Sequence, residues 1–220
     1  MTPTDHPGSG PVARTGGAHE FSTVSSTDVY VGKILALRAD EVAMPGGGQA
    51  RREVVEHYGA VAVVAVDDAD QVVLVHQYRY PFGRRLWELP AGLLDVEAEP
   101  PLRTAQRELA EEAGVAAEHW ELLVDVDTSP GFSDESVRVF LATGLSDVAL
   151  PDAVGDEEAD LVIRRFPLAE AVAMVLAGEI VNGPAVGGLL AAQAVRTGQA
   201  RGRPADAPWI DRPSRFRARG

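Results

Sequence analysis

Two apolar, β-branched runs near the middle of the chain constrain its fold more than any other feature. Residues 60–66 read AVAVVAV and residues 71–78 read QVVLVHQY. The acidic turn Asp67-Asp68-Ala69-Asp70 separates them. Short runs rich in valine are typical of strands buried on both faces of a sheet. The pattern therefore predicts a hairpin at the centre of a sheet.

Weaker patterns on both sides of this pair predict further strands and a few helices. The predicted strands are two between residues 20 and 37, then 51–57, 120–128, 136–143 and 159–165. The predicted helices are 100–114, 168–177 and 183–197. Strands at irregular spacing with few helices indicate an α+β fold, or a mixed sheet flanked by helices, and not a doubly wound array.

The length of 220 residues and the changes in composition predict how the chain is divided. Residues 1–18 are rich in Gly, Pro, Thr and Ser and are expected to form a flexible lead. Residues 19–57 are expected to form an antiparallel β meander, and residues 58–196 the main domain. Residues 197–220 carry six arginines against two aspartates and are expected to form a flexible tail.

Charge and cysteine content exclude several classes of protein. The net charge of −13 argues against a general nucleic-acid binder, because the phosphate backbone repels an acidic surface. The chain has no cysteine, so any metal must be held by oxygen or imidazole ligands. No apolar run is long enough to span a bilayer, and the first residues lack the apolar stretch of a signal peptide. We therefore expect no membrane partner and a cytoplasmic location.

The strongest chemical signal is a group of three carboxylates on the first predicted helix. Glu108, Glu111 and Glu112 have i, i+3 and i+4 spacing, so they share one helix face and repel one another. A hard divalent cation neutralises such a group and can bridge to a substrate phosphate. The pattern E-x-x-E-E alone is more often a solvated acidic helix face, so its neighbours decide the interpretation.

Those neighbours resemble the Nudix box, G-x5-E-x7-R-E-U-x-E-E-x-G-U, in which U is aliphatic. Residues 99–115 match at every fixed position, with Glu99, Arg107, Glu108 and Gly114 in register. One departure is that six residues, and not five, separate Gly92 from Glu99. The resemblance implies an α/β/α sandwich around a mixed sheet and the hydrolysis of a nucleoside diphosphate linked to another group.

The resemblance also implies roles for the residues of the box. Glu108 and Glu112 would be the main ligands of Mg²⁺ or Mn²⁺, with Glu111 and the carbonyl of Ala91 in support. Arg107 would hold the glutamates in place and could pair with Glu111 or Glu99.

Segments outside the box resemble the ADP-ribose pyrophosphatase branch of the family. They are RRLWELPAG at residues 84–92 and PGFSDE at residues 130–135, with Pro130 sixteen residues after Gly114. Glu135 would then bind substrate or water. Arg79 would bind phosphate or ribose, or else form a salt bridge at a strand edge. Gly92 and Arg52 complete the predicted substrate-binding residues, and Arg51 is an alternative to Arg52.

In that branch a glutamate on a later loop supplies the general base, and the N-terminal sheet exchanges across a homodimer. Glu158 is the favoured base here, with Glu157 second, because both precede a predicted strand in an acidic loop. The predicted activity is hydrolysis of ADP-ribose to AMP and ribose 5-phosphate. The alternatives are another nucleoside diphosphate sugar or a dinucleotide as substrate, or an inactive nucleotide-binding regulator. The three box glutamates argue against the last.

Overall fold

The computed structural model describes residues 21–150 and 161–219. Its strands are β1 (Ser22–Val31), β2 (Leu35–Ala43), β3 (Gln49–His57), β4 (Ala60–Ala65), β5 (Gln71–Arg79), β6 (Arg84–Glu88), β7 (Ala91–Leu93), β8 (Val115–Asp127), β9 (Ser136–Asp147), β10 (Val162–Pro167) and β11 (Arg203–Pro204). Its α-helices are α1 (Pro101–Ala113), α2 (Leu168–Leu176) and α3 (Gly183–Arg196). The expected flexible lead, residues 1–18, lies outside the described residues.

The N-terminal strands form the predicted antiparallel meander. Its order is β1-β2-β3, and Leu35 faces His57 at the start of the β2-β3 ladder. Every residue of β1 is exposed, whereas β2 is largely buried. The meander therefore presents one strand whose residues are all exposed.

The central sheet has the order β11-β8-β9-β4-β7 and is mixed. β4 runs parallel to β9, with Ala60 opposite Val137, and the other neighbours are antiparallel. A further sheet has the order β10-β5-β6.

The prediction that residues 60–66 and 71–78 form a hairpin is wrong beyond the turn that joins them. β4 and β5 meet at a single bridge, Val66 to Val72, and the Asp67 amide donates to the Gln71 carbonyl. Beyond that bridge the two strands separate into different sheets. A strand buried on both faces lies inside a sheet, so its backbone groups need a hydrogen-bonded neighbour on each edge. These neighbours are β7 and β9 for β4, and β6 and β10 for β5.

Helices cover both faces of the sheets, which confirms the predicted α/β/α layers. Ala105 and Leu109 of α1 pack with Val61 and Phe140 on one face. A second buried cluster lies on the other face, where α2 and α3 pack on the alternate residues of β4 and β9. Because side chains alternate along a strand, β4 contributes to both cores.

The C-terminal segment, residues 207–219, packs on the domain, and this differs from the flexible tail expected from its arginines. Phe216 is 5% exposed and meets Tyr58 edge to face at 4.6 Å between ring centroids. Arg219 binds Glu56 at 2.6 Å and Asp28 at 2.7 Å. The aromatic side chains between the arginines provide the buried surface that a solvated charge run lacks.

No helix within residues 21–150 and 161–219 is both long enough and apolar enough to cross a membrane.

Candidate active site

Helix α1 has clear signals at both ends, and these place its glutamates. Pro101 occupies the first turn, where a missing N–H costs nothing. Gly114 ends the helix with φ +63°, and its N–H donates to the Ala110 carbonyl. The apolar face is buried, and the charged face points toward strand β7.

Glu112 lies against the backbone of β7. Its Oε2 accepts a hydrogen bond of 2.9 Å from the Ala91 N–H. Burial raises the pKa of Glu112 to about 7, although the bond from Ala91 acts in the opposite direction. The negative charge of Glu108 acts in the same direction as burial. The carboxylate is therefore in a position where its charge is poorly compensated by the protein alone.

Glu108 lies one helical turn before Glu112 and directly over Gly92. A Cβ at Gly92 would lie 2.1 Å from Cδ of Glu108, so only glycine leaves room for this carboxylate. The side chain of Glu108 is 14% exposed. Burial raises the pKa of Glu108, and the nearby Arg107 guanidinium lowers it in part.

Arg107 joins three carboxylates of the box. It lies 2.7 Å from Glu108, 2.8 Å from Glu111 and 3.3 Å from Glu99. Burial acts to lower the pKa of Arg107, but these carboxylates raise it overall. The structure thus places Arg107 on both of its predicted partners and on Glu108 as well.

The donor set fits a hard divalent cation, although the predicted grouping of three carboxylates is not assembled. Within the two described ranges, no three His, Asp or Glu side chains gather around a common point. Glu108 and Glu112 lie together beside Ala91 and Gly92, whereas Glu111 is 43% exposed and turned to Arg107. Two partly buried carboxylates with raised pKa, next to Gly92, supply oxygen ligands of the kind that Mg²⁺ and Mn²⁺ favour.

Arg79 forms the salt bridge that was one of its two predicted roles. Its Nε and Nη2 donate to the two carboxylate oxygens of Glu88 at 2.9 and 2.7 Å. Glu88 is 2% exposed, and both residues act on the pKa of Glu112, so the pair lies close to the box carboxylates. Sequence reasoning missed Glu88, although it ends β6 and begins the segment ELPAG.

Another predicted substrate residue, Glu135, lies on the loop of residues 128–135 between β8 and β9. Its Oε2 accepts a hydrogen bond of 2.5 Å from the Thr128 hydroxyl. Together with Ser133 and Asp134, it lines a cavity of about 300 Å³, whose opposite wall is the C-terminal segment.

One further predicted site residue, Arg52, does not join this group. Arg52 lies in the N-terminal sheet, where its side chain donates to the Arg51 carbonyl at 3.1 Å. Glu157 and Glu158, the predicted bases, lie outside the described residues.

Comparison with known proteins gives concordant results. The NUDIX domain family matches residues 56–185. An ADP-ribose pyrophosphatase of Mycobacterium tuberculosis is 60% identical over 201 residues, covering 91% of this chain and 97% of that protein. An ADP-ribose pyrophosphatase of Bacillus subtilis is 38% identical, covering 74% of this chain and 87% of that protein.

A solved structure described as an ADP compounds hydrolase has the same fold. It superposes with a TM-score of 0.71 at 21% identity, covering 83% of this chain and 97% of that one.

Proposed function

The chain belongs to the Nudix family, and on this premise we propose that it hydrolyses ADP-ribose to AMP and ribose 5-phosphate. The observation that carries the proposal is the pair of partly buried carboxylates, Glu108 and Glu112, beside Ala91 and Gly92, on a helix that matches the box pattern at every fixed position. The relatives named above support ADP-ribose as the substrate, because the alignment with the mycobacterial enzyme extends over nearly the whole of both chains.

Nudix hydrolases generally use divalent metal ions, and this chain has the ligands to hold Mg²⁺ or Mn²⁺. Glu108 and Glu112 would be the main ligands, with Glu111 and the Ala91 carbonyl in support. Such an ion would neutralise the charge of the diphosphate when bound. Arg107 keeps the box glutamates oriented through its three ion pairs.

Water must attack one phosphorus while the bond from that phosphorus to the bridging oxygen breaks. The attacking water loses a proton, and Glu158 would accept it, with Glu157 as the alternative. Glu158→Gln should then abolish most turnover and Glu157→Gln should not. The opposite order would assign the base to Glu157.

The substrate assignment is tested by comparing kcat/KM among ADP-ribose, another nucleotide sugar such as ADP-glucose, and a dinucleotide, with products separated by ion-exchange chromatography. ADP-ribose should have the highest value, with AMP and ribose 5-phosphate formed in equal amounts. A higher value for either competitor would reassign the substrate within the same chemistry. Tight binding of ADP-ribose without turnover would favour the regulator.

We further propose that the protein is a homodimer formed through the N-terminal sheet. Val24, Val29, Tyr30 and Val31 of β1 are each more than half exposed, and a strand that carries several exposed apolar side chains is a candidate interface. Arg51 or Arg52 could then reach the site of the partner. Sedimentation velocity should show a dimer, and Val29→Asp should weaken it. A monomer at micromolar concentration would contradict the proposal.

A further inference from the structure

The loop of residues 128–135 is attached to the end of strand β3. The Val55 N–H donates to the Phe132 carbonyl at 2.7 Å, and the Val55 carbonyl accepts from the Asp134 N–H at 3.1 Å. Both backbone groups of Val55 are therefore used, and Val55 and Ser133 form a short parallel bridge. The loop is in effect an extension of the N-terminal sheet.

The side chain of Asp134 adds a third connection. Its Oδ1 accepts a hydrogen bond of 2.9 Å from the backbone N–H of His57, the last residue of β3. Burial raises the pKa of Asp134, and the bond from His57 acts against this. A partly buried acceptor that lacks a hydrogen bond lowers the stability of the folded protein, so this bond stabilises the fold.

His57 also faces Glu135, the next residue of the loop. Its Nδ1 accepts from the Gly59 N–H at 3.2 Å and lies 3.6 Å from Oε1 of Glu135. The Glu135 N–H donates to the Ser133 hydroxyl at 3.1 Å. His57 thus contacts both acidic residues of the loop, with its backbone amide on Asp134 and its ring on Glu135.

We propose that Asp134 is a positioning residue: through the His57 amide it holds the loop of residues 128–135 on β3 and thereby fixes Glu135 for substrate binding. The inference rests on the proposed function, because it takes Glu135 as the substrate contact that the sequence predicts for an ADP-ribose pyrophosphatase. It also means that the position of the N-terminal sheet affects substrate affinity, since the sheet and the loop share these bonds.

Two substitutions of Asp134 distinguish the effect of its hydrogen bond to His57 from the effect of its negative charge. Asp134→Ala removes the acceptor and should raise KM for ADP-ribose about tenfold, with kcat little changed, because a loosened loop must be ordered on binding. Asp134→Asn keeps Oδ1 as an acceptor and should restore KM to the wild-type value. Asp68→Ala, which removes an exposed carboxylate from the β4–β5 turn, is the matched control and should change neither constant.

An unchanged KM in Asp134→Ala, with only a lower melting temperature, would overturn the proposal. So would an Asp134→Asn variant as impaired as Asp134→Ala, because the hydrogen bond would then not be the cause.

Amide hydrogen exchange provides a test that does not depend on activity or on the folding of a variant. In the wild-type protein the amides of Val55, His57 and Asp134 should show similar protection, because they open as one unit. Much faster exchange at Asp134 than at Val55 would overturn the proposal. Absence of ADP-ribose hydrolysis with uniform protection would instead count against the proposed substrate and leave the connection between loop and sheet intact.

Discussion

At the scale of single residues, Glu112 shows the conflict between folding and chemistry most directly. Burial raises its pKa to about 7, so its charge destabilises the folded protein when no cation is bound. Glu112→Gln removes that charge and keeps an oxygen that can accept from the Ala91 N–H. We expect turnover to fall by more than about 100-fold, with a melting temperature equal to or above that of the wild type. Calorimetric titration with Mg²⁺ should show weaker uptake. Turnover like that of the wild type would defeat the assignment of Glu112 as a metal ligand.

Gly92 offers a second test, because its missing side chain makes room for Glu108. A methyl group there would lie 2.1 Å from Cδ of Glu108. The far end of a glutamate can rotate away, so Gly92→Ala should lower turnover by about 100-fold while changing the unfolding free energy by less than about 1 kcal/mol. Gly46→Ala is the control, since a Cβ at Gly46 meets nothing within 4 Å. Full activity in Gly92→Ala would mean that Glu108 does not need its present position.

How well the sequence predicts a contact in this site depends on how far apart the two contacting residues are along the chain. Glu108 and Glu112 share a helix face by their spacing alone, so their proximity was predictable. The Arg79–Glu88 pair depends on the register of β5 against β6, and the bond from Ala91 to Glu112 depends on how α1 packs on β7. Neither register nor packing can be read from residue types, and both determine the electrostatics of the site.

At the scale of elements, two adjacent glycines of α3 face different surroundings. A Cβ at Gly188 would lie 2.8 Å from Val139 Cγ1 and 3.0 Å from Leu89 Cδ1, in the buried core. A Cβ at Gly187 would lie 3.5 Å from Val126 Cγ2, which is ordinary contact. Gly188→Ala should therefore lower the unfolding free energy by about 1–2 kcal/mol through overpacking. Gly187→Ala should raise it by about 0.5–1 kcal/mol through helix propensity. Urea unfolding of both variants is the measurement, and equal effects would show that α3 does not pack as closely as described.

The separation of β4 from β5 shows where element prediction fails. The turn between them was predicted and is present, with its bridge at Val66 and Val72. Their pairing was not predictable, because a run that is apolar on both faces carries no information about which edge neighbours it takes. Here β4 pairs with β9, which follows it by more than 70 residues in sequence.

At the scale of the whole molecule, the C-terminal segment connects parts of the fold that are distant in sequence. The guanidinium of Arg138 donates to the carbonyls of Ala207 and Pro208 at 2.7 and 3.1 Å. Arg217 donates to the Leu94 carbonyl in the loop before α1, and Arg219 joins β1 to β3 through Asp28 and Glu56. Charge composition alone predicted a solvated tail, because it does not reveal that carbonyls and carboxylates of the domain lie opposite these arginines.

Phe216 decides whether this segment stabilises the fold. It is 5% exposed and packs edge to face on Tyr58, next to the β3–β4 junction that leads into the site. Phe216→Ala would leave a cavity there and should lower the unfolding free energy by about 3 kcal/mol. Ile210→Ala is the matched control in the same segment: Ile210 is 76% exposed, so its truncation should change stability by less than about 0.5 kcal/mol. Urea unfolding distinguishes the two. Equal and small effects would mean that burial of the Phe216 ring contributes little to stability. A large effect of Phe216→Ala alone would show that the C-terminal segment stabilises the domain through this buried ring.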